Sequence, residues 1–91
     1  MTTVIKRGGR KQDFSAYKIR QSVSSAAKDA GLPLFQRWGL VMQVANPVIA
    51  ACQKKESIRS SAIRTMVVKK LQRKSKAAAS AWKKYESKHR R

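Results

Sequence analysis

The sequence predicts an α+β fold: a short N-terminal β-hairpin, open to a third short strand near Ile58, packed on a bundle of about four helices. Three observations predict it. Two short β-prone runs flank Gly8-Gly9 near the N-terminus, and apolar residues recur at spacings of three and four through the rest of the chain. Hydrophobic residues make up 42% of the sequence, enough for a packed core and more than a disordered basic tail carries. Ninety-one residues suit one modest core and not two, so residues 1–91 are read as a single domain.

The strands are Thr3-Val4-Ile5-Lys6-Arg7 and Arg10-Lys11-Gln12-Asp13-Phe14, joined by the glycine pair as a two-residue turn. Two strands alone are marginal, so helices must cover one face. Ser15 is a good N-cap, and Ile19, Val23, Ala26, Ala27 and Ala30 follow at helical spacing until Gly31 supplies a stop. Pro33 opens a second helix with an apolar stripe of Trp38, Val41, Met42, Ala45, Ile49 and Cys52. The stripe continues through Asn46-Pro47, which reads as one long helix kinked at the proline. After the polar run Lys54-Lys55-Glu56-Ser57, Ile58 is isolated and extended. Ser60 or Ser61 then caps a third helix that turns Ile63, Met66, Val67 and Leu71 inward. Ser75 restarts the chain into a fourth helix, with Ala78, Ala81, Trp82 and Tyr85 on the buried side and residues 88–91 fraying.

Charge points to the partner. The chain has 22 Lys and Arg against 4 acidic residues, a formal net charge of +18, so most cations lack an internal partner and a polyanion must neutralise them. A membrane is the weakest candidate, because no apolar run approaches the roughly 20 residues of a spanning helix. No helix reads as basic on one side with bulky apolar side chains exposed on the other. The N-terminus has no apolar signal-peptide centre, which places the protein in the cytoplasm. The expectation is a nucleoid-associated, chromatin-type protein that binds double-stranded DNA through backbone phosphates, without sequence preference, as a homo-oligomer. RNA is the alternative polyanion.

The densest candidate surface is Lys69, Lys70, Arg73, Lys74 and Lys76, with a second stripe of Lys83, Lys84, Arg90 and Arg91. Lys6, Arg7, Arg10 and Lys11 add cations around the glycine turn, whose backbone can approach a phosphate closely. No helix-turn-helix, zinc-finger or homeodomain signature supplies a reader of base edges. Trp38, Trp82 and Tyr85 fall on apolar stripes, which favours core packing over base stacking.

Catalysis is not expected. The four carboxylates, Asp13, Asp29, Glu56 and Glu86, are scattered, and no serine, cysteine or acid has a partner. Cys52 and His89 make no metal-ligand cluster, and the residues require no cofactor.

Several segments together resemble the ATP-cone, the regulatory nucleotide-binding domain found in ribonucleotide reductases and in the repressor of their genes. Val4-Ile5-Lys6-Arg7-Gly8-Gly9-Arg10 is similar to the family's hairpin, with Phe14 and Lys18-Ile19-Arg20-Gln21-Ser22 at the usual spacing behind it. Ile58-Arg59-Ser60-Ser61-Ala62-Ile63 resembles its short strand and third helix, and Ala78, Ala81, Trp82 and Tyr85 its closing helix. The resemblance implies a stand-alone, unusually basic cone in which ATP or dATP sits between the hairpin and the first and third helices. The implied contacts are Val4, Lys6, Arg7, Lys18, Ser60 and Arg64, and the implied output is a change of oligomeric state. The sequence departs from the family pattern at Gly8, Gln12 and Arg64, where an aspartate or asparagine, an acidic residue and a histidine are respectively common.

Overall fold

A computed structural model describes residues 2–89. Its strands are β1 (Thr3–Ile5), β2 (Lys11–Asp13) and β3 (Ser57–Arg59), in the order β2-β1-β3. β1 pairs antiparallel with β2, placing Val4 opposite Gln12, and parallel with β3, placing Val4 beside Ile58. The third strand is therefore present. A parallel pair cannot be closed by a tight turn, so the helical chain between β2 and β3 forms the crossover. Strand alternation turns Val4 and Ile58 together into the core and leaves Ser57 and Arg59 exposed.

The helices are α1 (Ala16–Asp29), α2 (Leu34–Leu40), α3 (Asn46–Gln53), α4 (Ser60–Lys74) and α5 (Lys76–His89). α2 and α3 are joined by a π-helical turn, Val41–Ala45, so four rods stand against the sheet. Arg90 and Arg91 lie outside the described residues.

Local signals set most boundaries. The Ser15 hydroxyl accepts from the Lys18 amide at 3.3 Å and starts α1. At its other end Gly31 has φ +81°, with Leu32 N–H donating to the Ala27 carbonyl and Gly31 N–H to the Lys28 carbonyl, the paired bonds of a Schellman stop. Ser75 breaks α4 from α5 with an extended backbone and accepts from the Ala78 amide at 3.2 Å.

The core joins Val23, Ala26 and Ala27 of α1 to Val44, Val48 and Cys52 of the α2–α3 rod, and to Val67, Leu71, Ala78 and Trp82 of α4 and α5. Each such aliphatic side chain contributes roughly 1.5–3 kcal/mol on burial. Small residues at the α1–α5 contact, Ala26, Ala27, Ala78 and Ala79, allow close approach. α1 packs against both α5 and α2, which barely touch each other.

Three expectations are corrected. The hairpin strands are shorter than the sequence pattern, and their connection runs from Lys6 to Arg10: Lys6 N–H donates to the Arg10 carbonyl at 2.7 Å, and Gly9 N–H to the Lys6 carbonyl at 2.9 Å. Gly8 and Gly9 both sit at φ +84°, where side-chain-bearing residues are strained, so the glycines close this wider loop.

The α2–α3 rod is continuous, but it adapts to Pro47 by widening before it. Proline lacks the N–H that an α-helix would use there, and Asn46 N–H donates to the Val41 carbonyl, five residues back. That extra residue offsets the two halves by about 100°. Trp38 and Met42, which share a face with Ala45 on an unbroken α-helix, are thrown outward, 69% and 64% exposed. Leu40, Val44, Val48 and Cys52 are the buried line instead.

Neither Ser60 nor Ser61 caps α4. Arg59 occupies the N-cap position, with φ −76° and ψ 142°, and no side chain accepts from the first turn.

Candidate functional site

The hairpin loop, α1 and the start of α4 converge on a cleft of about 1030 Å³. One wall is the loop, which contributes Lys6, Arg7 and Arg10. Open space surrounds the positions where Cβ atoms of residues 8 and 9 would lie, so the glycines are required by backbone conformation and not by crowding. α1 contributes Lys18, Gln21, Ser22 and Ser25, positions at spacings of three and four that share one helical face. The opposite wall is the junction of β3 and α4, with Arg59, Ser60, Ser61 and Arg64. Trp82, Tyr85 and Glu86 of α5 complete it, again at helical spacing.

The electrostatics are one-sided. Six cations, Lys6, Arg7, Arg10, Lys18, Arg59 and Arg64, line the cleft against one carboxylate, Glu86. The first turn of α4 stands in the same wall with no side-chain cap, so its free amides and the positive end of the helix dipole add to the cationic field. Such an arrangement holds an anion with several oxygens, because guanidinium and ammonium groups and helix amides all donate to phosphate. Trp82 is 5% exposed, and its buried indole N–H has no hydrogen-bond partner among the described residues. That leaves a donor in the wall without an acceptor. The volume matches the upper end of small-molecule sites, roughly 300–1,000 Å³. The cleft thus fits a nucleoside triphosphate on charge, donors and size.

The structure brings Lys6, Arg7, Lys18, Ser60 and Arg64 together in this cleft. Val4, expected beside them, is apart: strand alternation buries its side chain in the core next to Ile58. Gln12 pairs with Val4 at the edge of the sheet and does not line the cleft, whereas Arg64 adds a cation to it.

The cations read as one nucleic-acid surface are divided. Lys6, Arg7 and Arg10 line the cleft, and Lys11 is exposed on β2 outside it. Lys69, Arg73 and Lys74 are exposed on α4, Lys76, Lys83 and Lys84 on α5, and Lys70 is half-buried. Arg90 and Arg91 fall outside the described residues.

Arg59, Gln21, Ser25, Tyr85 and Glu86 line the cleft without standing among the residues that the sequence pattern assigns to it. The α1 members follow Lys18 at helical spacing, and Arg59 follows from alternation about buried Ile58, so both signals are present in the sequence. The apolar stripe of α5 predicts Tyr85 on the buried face, and it is instead 41% exposed at the cleft. Among the described residues, no three His, Cys, Asp or Glu side chains gather to hold a metal, and no helix is long and apolar enough to cross a membrane.

Comparison with known proteins agrees with the geometry. No curated protein matches the sequence. The family model for the ATP cone domain matches residues 2–91. ATP-cones bind ATP or dATP as effectors and regulate rather than catalyse. With that match over nearly the whole chain, and a cationic cleft between hairpin, first helix and α4, this protein belongs to the ATP-cone family.

Proposed function

We propose that the chain is a nucleotide sensor in which the cleft takes ATP or dATP and occupancy changes the contacts it makes with other chains. The observation that carries this reading is the convergence of six cations and an uncapped helix start on one cleft with a single carboxylate. Lys6, Arg7 and Arg10 close on the phosphates from the loop, Lys18 from α1, and Arg59, Arg64 and the first amides of α4 from the far side. The aromatic wall of Trp82 and Tyr85 then faces the remainder of the nucleotide. Binding neutralises a concentrated positive charge and ties the loop to two helices, so it favours whichever assembly state holds these elements together.

Calorimetric titration with ATP, dATP, GTP and inorganic triphosphate tests this. Saturable binding that prefers adenine nucleotides and survives moderate salt is the expected result. Equal affinity for inorganic triphosphate would reduce the site to a polyphosphate trap and sink the sensor reading.

A second reading rests on a different observation. Lys69, Arg73, Lys74, Lys76, Lys83 and Lys84 are exposed outside the cleft, around the α4–α5 turn. They support sequence-independent binding of duplex DNA through phosphates, as expected of a nucleoid-associated protein in the cytoplasm. Because Lys6, Arg7 and Arg10 belong to the cleft, DNA and nucleotide then compete for them. Undiminished DNA affinity in saturating ATP would show that the surfaces are separate. Preference for structured RNA over duplex DNA at fixed salt would reassign the polyanion.

A further inference from the structure

α2 and the turn after it carry an apolar stripe that nothing in the fold covers. Leu34 is 60% exposed, Phe35 89%, Trp38 69% and Met42 64%. Their spacing of three and four places them on one face. By the usual areas of such side chains the stripe offers on the order of 500 Å² of contiguous apolar surface, within the range of the largest patch on a monomer and often functional.

Its surroundings narrow the occupant. Between Asp29 and Lys54 the only charged residue is Arg37, in a chain with 22 Lys and Arg and 4 acidic residues. Cations are concentrated elsewhere, so this face offers phosphates and anionic lipid headgroups almost nothing. Depletion of charge with enrichment of aromatics and methionine is instead the composition of a protein–protein contact.

The matching face must also be apolar and uncharged. A second copy of this chain supplies one. A two-fold axis across α2 makes the stripe its own complement, with no second patch required. Pairing two stripes removes on the order of 1,000 Å² in total, which reaches the lower bound of a specific interface. Charge permits it as well: α1 lies between α2 and α5, so the cationic α4–α5 surfaces stay away from the seam.

We infer that the face formed by Leu34, Phe35, Trp38 and Met42 is a homodimer interface. It excludes the cleft, and it stands or falls independently of nucleotide binding. The sign of its salt dependence is distinctive: raising salt screens the repulsion between two +18 chains and leaves apolar contact intact, so the dimer tightens where a polyanion complex would loosen.

Sedimentation equilibrium of the nuclease-treated, ligand-free chain at about 0.15 M and about 1 M salt is the test. The expected result is a concentration-dependent monomer–dimer equilibrium that tightens with salt. It is accompanied by a blue shift in tryptophan emission that the Trp38→Phe variant lacks. Phe35→Lys, at an exposed position where the fold tolerates it, weakens association about 10-fold or more. A wild-type chain that stays monomeric in high salt overturns the inference, as does equal association of wild type and Phe35→Lys. A Trp38 shift that appears only with anionic vesicles or an acidic protein, in a chain that remains monomeric, overturns it too.

Discussion

The Thr2 hydroxyl lies 3.0 Å from the carbonyl oxygen of Cys52 and 2.8 Å from that of Lys55, tying the start of β1 to the end of α3 fifty residues on. Thr2 is buried, so both carbonyls depend on it in place of water. Thr2→Val keeps the shape and removes the donor, and should lower unfolding free energy by about 1–3 kcal/mol in urea titration. An unchanged midpoint would mean that the hydroxyl is dispensable there.

Burial pushes the Cys52 thiol above its ordinary 9.0, with Lys55 opposing the shift more weakly. A folded pKa raised above the unfolded one means that the unfolded chain releases its proton first as pH rises. Stability from this group is therefore complete below about pH 8 and falls through pH 9 and beyond. Thiol labelling at pH 8 should follow global unfolding, and Cys52→Ala should flatten the alkaline fall. Rapid labelling of the native chain would contradict both.

The two tryptophans should respond in opposite ways. Trp82 is buried between α1 and α5, and Trp82→Ala should cost about 3–5 kcal/mol. Trp38→Ser, in dilute solution and low salt, should stay within about 0.5 kcal/mol of wild type. A large loss at Trp38 would restore it to the core and remove the π-helical offset.

Lys18→Ala removes a cleft cation from an exposed helical position. Nucleotide affinity should fall about 10-fold or more, as expected when one charge-assisted phosphate bond is removed, while the melting temperature barely moves. Arg59→Ala should act likewise. Retained affinity in both variants would place the ligand elsewhere.

Replacing Lys74, Lys76, Lys83 and Lys84 together by Gln should weaken duplex DNA binding uniformly across sequences. The log–log salt slope should become shallower by about 0.9 for each phosphate that is no longer neutralised, while nucleotide titration is unaffected. An unchanged slope would exclude the α4–α5 face as the DNA surface.

Features that depend on near neighbours in the chain were legible before any packing was known. Ser15, Gly31 and Ser75 set helix ends through bonds that reach no more than five residues, and alternation about Val4 and Ile58 marked the strands and the face they bury. The cleft was half legible for the same reason: Lys6, Arg7, Lys18, Ser60 and Arg64 sit on motifs, and helical spacing from Lys18 leads on to Ser22 and Ser25.

Where those local pieces face is set by packing between distant segments. A period of 3.6 residues cannot anticipate that Pro47 is accommodated by a wider turn before it, which rotates Trp38 and Met42 to the surface and gives Leu40 and Val44 to the core. Composition likewise counts cations without placing them. Packing of α1 against α5, and of β3 beside β1, gathers six of them into the cleft and leaves others outside it, because the position of a charge is fixed by contacts between residues far apart in the chain.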